Sequence, residues 1–266
     1  MGRFSILPQA TPVTTQAEAE AAVALLETKL LLAVDTETTG LVRAKDRAVI
    51  ISISSGEDRF AIWPQVLWCF KDLLENPEVN LVMHNANFDQ WMLLNAGIDT
   101  NRRCAPGHYR VYDTMVMHAL INDQAPHDLK SLTHTYLGIE MVPFRQTFGA
   151  QLRTSSLEEI FTNEDNYAVV LNYASLDAYA TYHLFLLLRD ELQHRAVTRG
   201  PYRNMWEYYI QTELPFTKVL WGMERAGVRI DTAALVAEAP KIEKKMSAIA
   251  RWFGQQAGQM TINLDS

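Results

Sequence analysis

Cysteine is scarce in this chain, because Cys69 and Cys104 are the only two among 266 residues. They do not form a C-x-x-C pair, so neither a disulfide framework nor a cysteine-bound zinc site is implied. The seven histidines contain no H-x-x-x-H pair, the spacing that places two zinc ligands on one helix face. We therefore expect two reduced thiols.

Long apolar runs are also absent. No stretch reaches the roughly 20 apolar residues that a membrane-spanning helix needs, and the N-terminus MGRFSILPQATPVTT lacks the apolar core of a signal peptide. With 48% hydrophobic residues, the chain can bury one good core and carry a small appendage. The sequence predicts a soluble, cytoplasmic protein with no membrane partner.

Basic residues are outnumbered. The chain has 24 lysines and arginines against 31 aspartates and glutamates, which gives a net charge of −7. A protein that binds nucleic acid mainly by neutralising phosphates carries a basic stripe. The composition argues against that mode of binding.

Four acidic residues stand in apolar stretches, where an ionised carboxylate is costly. They are Asp35 and Glu37 in VDTETTGL, Asp89 in HNANFDQWMLLNAGI and Asp177 in NYASLDAYATYHL. Leu30 to Val34 has the pattern of a buried strand, so Asp35 at its end has to be protonated, hydrogen-bonded or bound to a cation. Four such acids indicate a bound divalent metal.

The spacing of these acids supports a shared site. Asp35 and Glu37 point to the same face if the strand continues through Thr36, because side chains alternate along a strand. Tyr173 and Asp177 are four residues apart, as are Asn85 and Asp89, and that spacing makes neighbours on one helix face. Carboxylates and water suit Mg²⁺ or Mn²⁺ and not zinc.

Apolar and turn patterns predict an α/β fold with a mixed five-stranded sheet and helices packed on it. The predicted strands are Leu30–Thr36, Ala48–Ser54, Arg59–Trp63, Leu81–His84 and a short one near Arg110–Tyr112. The predicted helices lie within Gln16 to Thr28, at Pro64–Glu75, around Asp89, from Asp113 as N-cap, at Leu129–Leu137 and at Asn166–His194.

A boundary is expected at Thr198–Pro201, where the sequence reads TRGP. It divides the chain into a domain of residues 1–198 and a helical extension of residues 199–266. Within the extension we expect a long helix from Tyr202 to Ala226, a short VRID strand, and a helix from Thr232 to about Phe253.

The three acidic segments together resemble the DEDD exonucleases, 3′–5′ hydrolases of the ribonuclease H-like fold. Tyr173 stands four residues before the last aspartate, and Asn172 occupies the position where the DEDDh branch has histidine, so the resemblance is to the DEDDy branch. Leu41 after DTETTG, YDTMVMHALI, HDLKSLTHTYLG and ELPFTKVLWGMERAGVRID are similar to the proofreading domain of family A DNA polymerases. The resemblance covers roughly Leu30 to Asp231.

This resemblance implies two-metal phosphodiester hydrolysis with Mg²⁺ or Mn²⁺. Asp35 would bridge both ions, Glu37 and Asp177 would complete the first site, and Asp89 would hold the second, partly through water. Tyr173, with Glu37, would orient the attacking water, since a phenol with a pKa near 10 is a poor base at neutral pH. The implied partners are single-stranded DNA or frayed DNA 3′ ends, held weakly and through the metal ions, and a polymerase domain in the same chain or in a separate subunit.

Other residues leave two interpretations open. Leu41 matches the position that wedges against the terminal base, or it is a core leucine after the turn at Gly40. Asn85 contacts the sugar and phosphate or braces Asp89, or else Asn85 or Asn87 caps a helix. The basic and aromatic group from Arg102 to Arg110 touches the incoming strand or is a solvated loop.

Three alternatives to a polymerase-associated exonuclease remain. A DEDDy exoribonuclease of the RNase D type would share the metal site but should carry helical RNA-binding domains, whereas ELPFTKVLWGMERAGVRID favours a polymerase. A non-catalytic scaffold is disfavoured because all four acids are present. The chain could also be a stand-alone exonuclease with a helical tail.

Overall fold

A computed structural model describes residues 7–198 and 200–258 of the chain. The predicted boundary at Thr198–Pro201 includes Arg199, which lies outside the described residues. Two compact units are present, Met1–Trp221 and Gly222–Ser266. The division at residue 198 into an exonuclease domain and an extension stays a prediction. In the described part of the chain, no helix is long and apolar enough to cross a membrane.

The first unit contains a mixed sheet of six strands. They are β1 Ala10–Val13, β2 Leu31–Thr38, β3 Ala48–Ser54, β4 Arg59–Ile62, β5 Asn80–Met83 and β6 Val111–Asp113. Their order in the sheet is β1-β4-β3-β2-β5-β6. β2 pairs antiparallel with β3 and β3 with β4, whereas the pairs β1–β4, β2–β5 and β5–β6 are parallel.

The predicted sheet is confirmed except for its strand number. The expected five strands are present with small shifts at their ends, and β1 adds a sixth at the edge beside β4. β1 has only four residues and contains Pro12, a residue that sheets tolerate at an edge. A short edge strand with one fully buried side chain, Val13, has too little apolar pattern to be recognised.

The described residues of the two units also form α-helices. They are α1 Gln16–Leu26, α2 Lys71–Glu75, α3 Ala86–Asn95, α4 Thr114–Ile121, α5 Leu129–Leu132, α6 Phe144–Phe148, α7 Leu157–Thr162, α8 Tyr167–His194, α9 Met205–Tyr208, α10 Leu214–Ala226 and α11 Thr232–Ala257. The longest, α8, packs across β2 and β3 through a row of small and apolar residues that includes Val170, Ala174 and Ala178. This contact holds the centre of α8 against the middle strand of the sheet.

Several predicted helices are interrupted. Pro64–Phe70 is a 3₁₀ helix that leads into α2, and a π-helical turn at Thr133–Leu137 follows α5. The long helix expected from Tyr202 begins at Met205 and contains a π-helical turn at Tyr209–Glu213. Hydrophobic periodicity does not distinguish these helix types, because they differ from an α-helix by one residue per hydrogen-bonded turn.

The expected VRID strand is wrong, since Val228–Asp231 is irregular and Val228 is 87% exposed. A strand needs a hydrogen-bonded neighbour, and the described residues offer none to this segment. Asp231 instead caps α11, because its side chain accepts a hydrogen bond from the backbone N–H of Ala234 at 3.0 Å.

Candidate active site

The middle strand β2 carries the first two acids. Leu32, Ala33 and Val34 are fully buried, and the strand continues through Thr36 and Glu37, as the shared-face prediction requires. Asp35 pairs in register with Ser52 and Glu37 with Ile50, and the register then shifts between Glu37 and Thr38. Both carboxylates are half-buried and lie on the same face of the strand.

The centre of α8 brings the last acid to this pair. One carboxylate oxygen each from Asp35, Glu37 and Asp177 lie within 4.8 Å of one another. The Asp177 Oδ1 atom is buried and accepts no hydrogen bond from the described residues. Three converging carboxylates, one with an unsatisfied buried oxygen, suit a hard cation with oxygen ligands such as Mg²⁺ or Mn²⁺.

The fourth acid lies beside this trio. Asp89 on α3 is 3% exposed, and its Oδ1 accepts a hydrogen bond from the Thr36 hydroxyl at 2.6 Å. Burial and then the charge of Asp35 raise the pKa of Asp89 well above its usual range. Sequence reasoning assigned no role to Thr36, the middle residue of the D-x-E motif, although it connects β2 to Asp89.

Burial and mutual repulsion govern the ionisation of the four acids. Burial raises the pKa of Asp35 to about 7, and the nearby Lys130 ammonium opposes that shift. The pKa of Glu37 lies well above its usual range because of burial and the charges of Asp177 and Asp35. Burial and the charge of Asp35 also raise the pKa of Asp89 and of Asp177. Such a cluster is stabilised by protons or by a bound cation.

Tyr173 is the neutral member of the site. Its ring contacts Phe144 and Phe148 edge-on, and its hydroxyl accepts a hydrogen bond from the Lys130 ammonium at 3.2 Å. Burial, followed by the charges of Glu37 and Asp177, holds the pKa of Tyr173 far above its ordinary value. The phenol therefore stays protonated and can orient a water by hydrogen bonding, whereas proton abstraction is excluded near neutral pH.

The start of α3 depends on a residue from another segment. Asn85 occupies the N-cap position with a left-handed backbone, φ 65°, and its side chain makes no capping hydrogen bond. The Asp113 carboxylate accepts instead from the backbone N–H groups of Asn85 at 3.1 Å and Ala86 at 2.8 Å. The expected capping by Asn85 is therefore wrong, and Asn87 lies inside the helix.

Asp113 has a second capping role, which was predicted. Its carboxylate also accepts from the backbone N–H of Met115 at 2.9 Å and so caps α4. Its link to α3 spans 27 to 28 residues of sequence, and no local pattern could have revealed it.

Leu41 lies in the loop after Glu37 and is 82% exposed, so its interpretation as a core leucine is wrong. Hydrogen bonds order this loop, from the Thr38 hydroxyl to the Gly40 carbonyl at 2.8 Å and from the Val42 N–H to the Asp46 carboxylate at 2.7 Å. The loop thus exposes the apolar side chain of Leu41 to solvent, shortly after Glu37 in the sequence.

The basic segment from Arg102 to Arg110 does not act as one surface. Arg110 is 1% exposed and donates to the backbone carbonyls of Val79 and Thr100 at 2.6 Å, so it is a structural residue. Arg103 forms an ion pair with Asp72 at 2.6 Å. Lys130, to which the sequence analysis assigned no individual role, donates a hydrogen bond to Tyr173 and lowers the pKa of Asp35. Its signal in the sequence was its position in HDLKSLTHTYLG.

A mixed sheet with converging carboxylates at its middle strand defines a ribonuclease H-like fold with a candidate metal-dependent nuclease site. The family model of the 3′–5′ exonuclease matches residues 10–193. The chain therefore belongs to the 3′–5′ exonuclease family, whose members are nucleases that hydrolyse phosphodiester bonds.

The relatives found by sequence comparison include DNA polymerases. The chain is 27% identical over 263 residues to DNA polymerase I of Pseudomonas aeruginosa, which covers 93% of this chain and 27% of that protein. It is 26% identical over 249 residues to the mitochondrial DNA polymerase I B of Oryza sativa, with coverage of 79% and 24%. The chain thus spans about a quarter of the length of these relatives.

Solved structures agree on the fold. Escherichia coli RNase D, an exoribonuclease, matches with a TM-score of 0.61 and 16% identity, over 83% of this chain and 52% of that one. Brucella melitensis NrnC with bound Mg²⁺ matches with a TM-score of 0.53 and 20% identity, over 77% of this chain and 91% of that one.

Proposed function

We propose that this protein removes nucleotides from the 3′ ends of DNA, with a preference for single-stranded and mispaired ends, as a proofreading exonuclease of the DEDDy type. The observation that carries the proposal is the group of Asp35, Glu37 and Asp177, whose carboxylate oxygens lie within 4.8 Å of one another beside the neutral Tyr173. Membership of the 3′–5′ exonuclease family and the similarity to DNA polymerase I support it.

Asp35, Glu37, Asp89 and Asp177 would hold two divalent ions, Mg²⁺ or Mn²⁺. Bound there, the ions would supply a Lewis acid and lower the pKa of a coordinated water. Because the pKa values of these acids are raised, metal binding would displace protons from the site.

Other residues of the chain orient the reactants. The Tyr173 hydroxyl would donate a hydrogen bond to the attacking water and fix its direction, because its raised pKa favours the protonated phenol. Leu41, exposed in the loop after β2, would pack against the terminal base, and Asn85 at the start of α3 would contact the sugar and phosphate. A mispaired end is already cheaper to unstack and unpair, so it enters the site faster than a paired one.

An exoribonuclease is the second candidate, since the fold is similar to that of RNase D. DNA is favoured because the relatives found by sequence are DNA polymerases. We also propose that the protein acts together with a polymerase domain, in the same chain or as a separate subunit.

One gel assay tests the proposal. 5′-labelled single-stranded DNA, matched and mismatched primer–template DNA and an RNA of the same sequence are incubated with Mg²⁺, with Mn²⁺ or with EDTA. We expect a metal-dependent ladder of shortening products, fastest from single-stranded and mismatched DNA. Faster attack on RNA would favour the exoribonuclease, and release of internal fragments would exclude an exonuclease.

A further inference from the structure

Lys130 lies on the one-turn helix α5, whose start is fixed by Asp128, which accepts a hydrogen bond from the Ser131 N–H at 3.0 Å. The Lys130 ammonium donates to the Tyr173 hydroxyl at 3.2 Å and to the Val142 carbonyl at 3.4 Å. It also lies 5.1 Å from the centre of the Tyr173 ring. The half-buried Lys130 side chain is therefore held against Tyr173 by contacts with both its hydroxyl and its ring.

The charge of Lys130 reaches the acids as well. Its ammonium lowers the pKa of Asp35, Glu37 and Asp177, in opposition to burial and mutual repulsion. No carboxylate forms an ion pair with Lys130 among the salt bridges of the described residues. The ammonium thus affects the acids through its charge, while it donates hydrogen bonds to the Tyr173 hydroxyl and the Val142 carbonyl.

This hydrogen bond has a consequence for the phenol. When an ammonium occupies a lone pair of the Tyr173 oxygen, the remaining O–H is directed away from Lys130 and is polarised as a donor. Tyr173 lies one turn before Asp177 on the same face of α8, and the Asp177 carboxylate converges with those of Asp35 and Glu37. The favourable direction for the O–H is therefore toward the acidic site.

We propose that Lys130 is a positioning residue for hydrolysis, which fixes the Tyr173 hydroxyl as a hydrogen-bond donor toward the carboxylate site. This inference rests on the proposed function and deepens it. In this role Lys130 would act through Tyr173, with which it forms its hydrogen bond, and not by binding DNA.

A double-mutant cycle tests this role. The variants are Lys130→Met, which keeps the length of the side chain but removes the charge and the donor, Tyr173→Phe, and their combination. We expect Lys130→Met to lower kcat on single-stranded DNA about 10- to 100-fold and Tyr173→Phe about 10- to 1,000-fold. In the Tyr173→Phe background, Lys130→Met should cost less than about threefold, because residues that act as a unit are non-additive.

Three further measurements separate positioning from a structural or DNA-binding role. Lys130→Arg should restore kcat to within about fivefold of the wild type, since a guanidinium also donates to a hydroxyl. KM for DNA and its salt dependence should change less than about twofold in Lys130→Met, whereas loss of a phosphate contact raises KM and reduces the salt slope by about one. Lys29→Met, which removes a lysine paired with Glu57 on the surface, is the matched control and should leave kcat unchanged.

The outcomes are distinct. Additive losses in the double variant, or a change confined to KM, would overturn the positioning role while wild-type cleavage still supports the proposed function. A wild type that cleaves none of the substrates, with any metal, would overturn the proposed function and the role of Lys130 with it. If Lys130→Met and Lys130→Arg lower the melting temperature to the same extent and also lower kcat to the same extent, Lys130 has only a structural role.

Discussion

Asp35 lies where a fully buried strand meets a half-buried acidic cluster. Its carboxylate would bridge the ions, and its charge raises the pKa of Glu37, Asp89 and Asp177. Under the proposed function Asp35 would be needed for catalysis, and its charge costs stability when no cation is bound. A single substitution of Asp35 should therefore remove activity without lowering stability.

We expect Asp35→Ala to abolish cleavage while the melting temperature in EDTA is equal to or above that of the wild type. The reason is that the substitution deletes a ligand and relieves repulsion between buried carboxylates. Gel assays and thermal melts of the same preparations measure both effects, with the exposed Asp123→Ala as a control that leaves both unchanged. Cleavage above a few per cent of the wild type would contradict the assignment of the metal site.

The pH dependence of stability follows from the same group. The pKa of Asp35 is raised from 3.8 to about 7 in the folded protein, so the protonated form is favoured by folding. The resulting stability is fully present below about pH 4 and is lost as pH rises through about 7. Metal-free protein should therefore lose stability between pH 5 and pH 8, and Mg²⁺ should restore it at pH 8.

Asp35→Asn isolates this contribution because asparagine does not titrate. Between pH 5 and pH 8, we expect the free energy of unfolding in EDTA to fall at least about 1 kcal/mol more in the wild type than in the variant, roughly 2–4 °C in melting temperature. Urea denaturation at the two pH values measures the difference. Parallel pH profiles would show that the pKa of Asp35 is not raised.

At the scale of elements, the site depends on how β2, α3 and α8 are held in place. The sequence placed β2 and α8 correctly, because a buried apolar run and a four-residue periodicity are local signals. It did not predict that Asp113 at the end of β6 fixes the start of α3, since that contact is between distant segments. Local patterns therefore identified the acids, whereas the contact between Asp113 and the start of α3, which positions Asp89, could be seen only in the structure.

Asp113 provides the test at this scale. Asp113→Ala removes the acceptor for three backbone N–H groups, those of Asn85, Ala86 and Met115. We expect the free energy of unfolding to fall by about 2–4 kcal/mol, and kcat to fall with it because α3 carries Asp89. Asp128→Ala, which removes the N-cap of α5 alone, is the matched control for stability and should cost about 1 kcal/mol. Equal losses in urea denaturation would rule out the double role of Asp113.

At the scale of the whole molecule, the sequence predicted a mixed α/β sheet and the acids that converge on it. Its errors have physical reasons: β1 is a short edge strand containing Pro12, and the π-helical turn at Tyr209–Glu213 shares the periodicity of its neighbours. The role of Lys130 was missed because the hydrogen bond to Tyr173 joins residues 43 positions apart. The net charge of −7 was informative, since it argued against broad phosphate neutralisation.

That charge leads to a last prediction, on the salt dependence of substrate binding. A protein that neutralises 6–10 phosphates loses about 10³- to 10⁵-fold in affinity between roughly 50 and 200 mM salt. The chain has 24 basic residues against 31 acidic ones, and in the basic segment from Arg102 to Arg110, Arg110 is buried and Arg103 is ion-paired. We therefore expect KM for single-stranded DNA, at saturating Mg²⁺, to rise less than about tenfold over that range. Initial rates across a salt titration measure this KM. A titration to lower Mg²⁺ is the comparison and should weaken binding of the strand far more than salt does. A rise of a hundredfold or greater with salt would mean that a basic surface, and not the acidic metal site, holds the strand.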